Sequence, residues 1–208
     1  MRLLATFFML ATALLLSGCA GSLSTLDPAG PAAAAIASLW WLMFWAAVAL
    51  FLLVGVLLWA VWVRPRFGVS VTPMRWIIWG GLVMPSVLLA ALVGYALFTG
   101  ERLLPHALAE TPTRVAAHGV MWQWRFSYPD SPNAQSTPTL HIPAGEPVDV
   151  LVTSGDVIHS FWVPRLAGKI DAIPGHENIL RVQADRPGTY RGVCAEFCGT
   201  GHTVMDFA

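Results

Sequence analysis

Two long runs without a charged side chain set the frame for this chain. Leu39 to Val63 and Trp76 to Phe98 each hold enough consecutive apolar residues to cross about 30 Å of hydrocarbon. Within lipid, backbone N–H and C=O groups must be satisfied inside the protein, which commits each run to helix. Of the 208 residues, 56% are hydrophobic and 12% charged, a balance too apolar for an ordinary soluble domain. The connection at 64–75 carries Arg64, Arg66 and Arg75 and no acid, so the hairpin (39–98) has a cytoplasmic turn and both its ends on the opposite side. Trp40, Trp41 and Trp45 lie towards one interface, and Trp59, Trp62, Trp76 and Trp79 towards the other. Neither run contains Asp, Glu, Lys, Arg or His, so the hairpin offers no proton relay and serves to anchor and to pack against a partner. Pro85 lacks a backbone donor and predicts a kink in the second run.

Residues 1–18 read as a secretory signal, with Arg2, an apolar stretch from Leu3 to Leu16 and small residues after it. Leu16-Ser-Gly-Cys19 has the pattern of a bacterial lipobox, which implies cleavage before Cys19 and lipid attachment to its sulfur. An uncleaved short apolar helix with an incidental cysteine is the other reading. The signal and the arginine-rich turn agree on a bacterial inner membrane with the N-terminus and the C-terminal domain in the periplasm. Residues 19–38, rich in Ala, Gly, Ser and Pro, are expected to form a linker. A formal net charge of +0 leaves no electrostatic footprint for nucleic acid.

Residues 111–208 change character. Short β-rich runs alternate with Pro and Gly turns: Arg114–Tyr128, Thr137–Ile142, Pro147–Thr153, His159–Val163, Asn178–Gln183 and Gly188–Val193. Such spacing predicts an all-β sandwich or barrel. Its end concentrates metal-binding chemistry, with Cys194, Cys198, His202 and Met205 inside Cys-Ala-Glu-Phe-Cys-Gly-Thr-Gly-His-Thr-Val-Met and His159 upstream. Thiolate with thioether is a soft set that favours copper over magnesium, calcium or manganese. Two thiolates can bridge two copper ions, with one histidine terminal on each, Met205 a weak ligand and a loop carbonyl another. A change of one electron is then spread over two metals and two sulfurs. Three readings compete: a structural zinc site on Cys194, Cys198, His202 and His159, which leaves Met205 without a role; a disulfide; and buried core cysteines.

Three segments carry a family resemblance: Asp156-Val-Ile-His-Ser-Phe-Trp-Val-Pro164, Gly168-Lys-Ile-Asp-Ala-Ile-Pro-Gly175 and Pro187-Gly-Thr-Tyr-Arg-Gly-Val-Cys-Ala-Glu-Phe-Cys-Gly199. From about Ala32 onward the chain resembles subunit II of cytochrome c oxidase. The resemblance implies a two-helix transmembrane hairpin followed by a cupredoxin-like domain. It implies a binuclear copper centre, CuA, held by His159, Cys194, Cys198, His202, Met205 and the main-chain carbonyl of Glu196. It implies a magnesium ion, shared with subunit I, on the Glu196 side chain, and haem only in that partner. Electrons would come singly from cytochrome c or a similar periplasmic donor and pass to subunit I, where oxygen is reduced and protons are pumped. The chain is expected to be inactive without subunit I and the other oxidase subunits.

Within Trp122-Gln-Trp-Arg-Phe-Ser-Tyr128 the resemblance places the exposed electron-input tryptophan at Trp124, with Trp122 second. Asp156 is the expected docking carboxylate for the donor. Several positions depart from the family pattern. No acid lies between Phe67 and Gly100, where many members place a glutamate at the mouth of a proton path, and His176 stands where an arginine is usual. Members usually continue past the copper methionine; a truncated sequence and an edge covered by another subunit are the two readings of the ending at Ala208, and an unpaired last strand would loosen Met205 and expose an edge. A quinol-oxidase subunit II and a membrane-anchored copper-delivery protein are the rival functions.

Overall fold

The computed structural model describes residues 18–69, 71–107, 111–129 and 131–208. It divides into two compact units, one of Ser38–Leu103 and one of Leu104–Ala208 with the described residues up to Ala37. The signal expected over 1–18 lies, up to residue 17, outside the described residues.

The first unit is helical. Helix α1 spans Pro31–Val63, α2 is the short Pro65–Val69, and α3 runs Pro73–Leu103. Both α1 and α3 are long and apolar enough to cross a membrane, and none of their most apolar windows is buried in protein. The chain is membrane-anchored. Helix α1 begins eight residues before the uncharged run, at Pro31, because proline suits the first helical position and the alanines after it favour helix. At the site of the predicted kink, α3 widens to π-helical bonding over Trp76–Val83, where the Met84 N–H donates to the Trp79 carbonyl. Pro85 follows directly; its ring crowds the carbonyl four residues back, and a widened turn relieves that crowding.

The second unit is a β-sandwich. One sheet has the order β3-β2-β1-β4-β7 and the other β6-β5-β8-β9. The strands are β1 Thr113–Val120, β2 Gln123–Tyr128, β3 Ser131–Ser136, β4 Val148–Ser154, β5 His159–Trp162, β6 Ile170–Ala172, β7 Asn178–Val182, β8 Gly192–Cys194 and β9 Asp206–Phe207. Strands β1 and β4 pair in parallel, and the other strand pairs among the described residues are antiparallel. Period-two alternation builds the core: Val115 and Ala117 point inward from β1, Trp124 and Phe126 from β2. They meet Phe161 of β5 and Phe207 of β9, whose rings stack at 4.7 Å. Several expected boundaries move. Arg114–Tyr128 divides into β1 and β2. Thr137–Ile142 is not a strand, although the Leu140 N–H donates to the Ala208 carbonyl and the Ala208 N–H to the Pro138 carbonyl, and Gly188–Val193 shortens to β8. The last strand is paired, since Gly192 and Val193 register with Phe207 and Asp206.

The stretch read as a linker is partly built into this unit. The Ala29 N–H donates to the Arg165 carbonyl, Ala33 to Leu166, and Asp185 to the Ala29 carbonyl. Asp27 pairs with Arg165 at 3.0 Å. A Cβ on Gly30 would lie 2.1 Å from the Gln183 carbonyl oxygen, so only glycine permits this approach. Composition predicted only a linker; specific main-chain bonding ties its middle to the turn after β5.

Candidate metal centre

The donors converge from three places at one end of the sandwich. His159 opens β5, Cys194 ends β8, and Cys198, His202 and Met205 come from the loop between β8 and β9. Pairing of Phe161 with Cys194 sets the first two side by side. The loop is closed by the Cys194 N–H on the Met205 carbonyl and by the Ala195 N–H on the Ser160 carbonyl.

The Cys194 and Cys198 sulfurs stand 3.8 Å apart, unbonded. His159 Nδ1 is 3.9 Å from the Cys194 Sγ, and the Glu196 carbonyl oxygen 3.2 Å from it. On the other side, His202 Nδ1 lies 3.7 Å and Met205 Sδ 3.8 Å from the Cys198 Sγ. His159, Cys194, Cys198 and Met205 are buried. His159, Cys194 and Cys198 form a group tight enough to hold an ion. This is a two-ended donor set: two sulfurs at the centre, and one imidazole with one weaker donor at each end. Met205 has a place in it, which the zinc reading did not give, and the sulfur-rich composition suits copper.

Burial, together with the neighbouring Cys194, pushes the Cys198 thiol up to about 11. The metal-free chain therefore carries that proton at neutral pH, while the ligand form is the thiolate. Metal uptake must expel it. Copper affinity is expected to rise with pH across the neutral range, with measurable proton release; a flat affinity from about pH 6 to 8 would contradict this.

The two tryptophans separate sharply. Trp124 is wholly buried, packed edge-on against Phe161 at 5.5 Å and His159 at 6.2 Å, and its Nε1 has no hydrogen-bond partner among the described residues. The exposed indole expected there belongs instead to Trp122, 41% exposed, whose Nε1–H donates to the Cys198 carbonyl at 3.0 Å. Alternation along β2 is the reason: residue 124 faces inward and the turn before it faces out. A Cβ on Gly201 would fall 2.3 Å from Trp122 Cδ2, so the Cys-Gly-Thr-Gly-His spacing makes room for the ring. That glycine pair was the sequence signal for Trp122, overlooked beside the cysteines.

Asp156 also sits differently from a free docking carboxylate. Its Oδ2 accepts the Met121 N–H at 2.7 Å, and its Oδ1 accepts the Val157 N–H at 2.7 Å and faces His159 Nε2 at 2.8 Å. Burial works against its charge, but the Met121, His159 and Val157 contacts outweigh that and hold the carboxyl down at about 2. The Glu196 side chain is half-exposed, and His176 is exposed with its Nε2 3.1 Å from the Asn178 Oδ1. Cys19 is exposed.

A family profile described as the periplasmic domain of cytochrome c oxidase subunit II matches residues 133–208. Cytochrome c oxidase subunit 2 of Alkalihalophilus pseudofirmus is 36% identical over 130 residues, covering 60% of this chain and 37% of that protein. Quinol oxidase subunit 2 of Bacillus cereus is 31% identical over 217 residues, covering 98% of this chain and 74% of that protein. A crystal structure of the periplasmic domain of subunit II of cytochrome oxidase from Bradyrhizobium japonicum aligns at 30% identity and a TM-score of 0.45, over 49% of this chain and 84% of that one. The chain spans only 37%, 28% and 47% of the length of three of its cytochrome c oxidase relatives.

Proposed function

We propose that this chain, which belongs to the subunit II family of haem-copper oxidases, is the electron-input subunit of a terminal oxidase. It accepts single electrons from a periplasmic donor of the cytochrome c type and passes them to haem in subunit I, where oxygen is reduced and protons are pumped. The observation that carries this reading is the two-ended donor set around the Cys194 and Cys198 sulfurs, 3.8 Å apart. Copper held there as a binuclear centre would supply a one-electron store whose charge change is shared between two metals and two thiolates.

The protein's own residues do the rest. Cys194 and Cys198 would hold the copper centrally, with His159 and His202 at the two ends and Met205 and the Glu196 carbonyl completing the set. Strands β5 and β8 hold His159 and Cys194 in place, which would keep rearrangement small when the charge changes. Trp122 takes the electron-input role, since it is exposed on one side and hydrogen-bonded to the Cys198 carbonyl on the other. The Glu196 side chain, half-exposed beside the site, is available for a magnesium ion shared with subunit I. Cys19 carries the lipid, and the site faces the periplasm.

A quinol donor is the second reading, favoured by the name of the relative that matches almost the whole chain. Two thiols, two imidazoles and a thioether gathered in one place have no task in direct quinol oxidation, which puts it second. The test is to load the full chain in detergent with copper, count the metal and record its paramagnetic spectrum. Two coppers sharing one unpaired electron are expected; one copper or none would sink the reading. In the assembled oxidase, Trp122→Phe is expected to slow reduction by cytochrome c at least about tenfold while copper content stays at two, because the indole contact is lost but no ligand is removed. Unchanged input would return the role to another residue.

A further inference from the structure

Asp156 joins two parts of the site that the sequence keeps far apart. Its Oδ1 faces His159 Nε2 at 2.8 Å, and its Oδ2 takes the N–H of Met121, next in chain to Trp122. The Trp122 indole bonds the Cys198 carbonyl at 3.0 Å, and the Cys198 sulfur stands 3.8 Å from that of Cys194, itself 3.9 Å from His159 Nδ1. The contacts close a ring running from Asp156 through Met121, Trp122, Cys198, Cys194 and His159 back to Asp156.

We propose that Asp156 is a positioning residue of the metal centre, holding the His159 ring and the turn that carries Trp122 in one hydrogen-bonded frame. The inference rests on the copper reading above. A carboxylate can only accept, so Nε2 of His159 carries the proton and Nδ1 presents its lone pair to the sulfur side. Partners of this kind fix a ligand's tautomer and orientation, and their loss commonly weakens metal binding about 10- to 100-fold. Both Asp156 oxygens are engaged within the protein, although the residue lies at the surface with its side chain 26% exposed.

The experiment uses the full chain in detergent, loaded with copper, as wild type, Asp156→Asn and Asp156→Glu. Copper loss to a chelator, the paramagnetic spectrum and the ionic-strength dependence of reduction by a soluble one-electron donor are measured for each. Positioning predicts that both variants lose copper about 10- to 100-fold faster with an altered spectrum, while the slope against ionic strength stays at the wild-type value. D156E is informative if D156N does not fold, because it keeps the charge and changes only the reach. A docking role predicts the reverse: wild-type copper retention and spectrum in both variants, with a reduced salt slope in D156N alone. That result would overturn the proposal. A wild-type chain that does not hold two coppers would instead overturn the copper reading and this inference with it.

Discussion

If the chain holds copper as proposed, Cys198→Ser should cut it from two ions to one or none and end electron input. The Cys198 sulfur is the node of the site: Cys194 Sγ lies 3.8 Å from it, His202 Nδ1 3.7 Å and Met205 Sδ 3.8 Å. Removing it separates His202 and Met205 from the half formed by His159 and Cys194. A serine hydroxyl is harder and far less acidic than a thiol, and does not replace a bridging thiolate. The loss in electron input should exceed the roughly 100-fold typical of a missing outer-sphere partner. Phe197→Ala is the matched control, since Phe197 lies in the same loop but is 76% exposed. Two coppers with an unchanged spectrum in the serine variant would show that the sulfurs do not bridge.

The second large effect is expected far from the metal. Asp149 on β4 receives Arg181 of β7 through two bonds, Nε to Oδ1 at 2.7 Å and Nη2 to Oδ2 at 3.0 Å. The pair is directly cross-strand, and the two side chains are 17% and 8% exposed. Arg181 also donates to the His106 carbonyl, tying the start of the unit to its edge strand. The bond to Asp149 raises the Arg181 pKa above its ordinary value despite burial, so the charge stays on the guanidinium. Asp149→Ala leaves the part-buried guanidinium without its carboxylate, at an expected cost of about 1.5–3 kcal/mol. That is a large part of the about 5–15 kcal/mol that holds a typical domain folded. Replacing both partners by leucine and methionine should cost much less, because no uncompensated charge remains. Denaturant unfolding of the full chain in detergent, followed by amide hydrogen exchange in β4 and β7, measures both. Equal losses in the single and double variants would mean that packing, not the charge, sets the cost.

Much of this protein was written locally. The uncharged runs gave two helices because a backbone in lipid has few alternatives, and the spacing of Cys194, Cys198, His202 and Met205 named the donors because one loop carries them all. His159 stood out as a further imidazole upstream of that loop, and its strand β5 pairs beside Cys194. What sequence spacing missed depends on which way a side chain turns. Trp122 and Trp124 differ by two positions and share the same local composition, yet one lies in the turn and the other in the inward register of β2, so exposure separates them only after the sheets pack. Composition did not show how the linker packs, since its small residues also permit the close backbone approach that Gly30 makes to Gln183. Asp156 looked like a surface acid because its partners, Met121 and His159, meet only when the turn between β1 and β2 folds over the start of β5. Composition and spacing therefore determined the anchor, the sandwich and the ligand types, which rest on local chemistry. Tertiary structure alone decided which indole is exposed and which carboxylate braces a ligand, because both follow from contacts between strands distant in the chain.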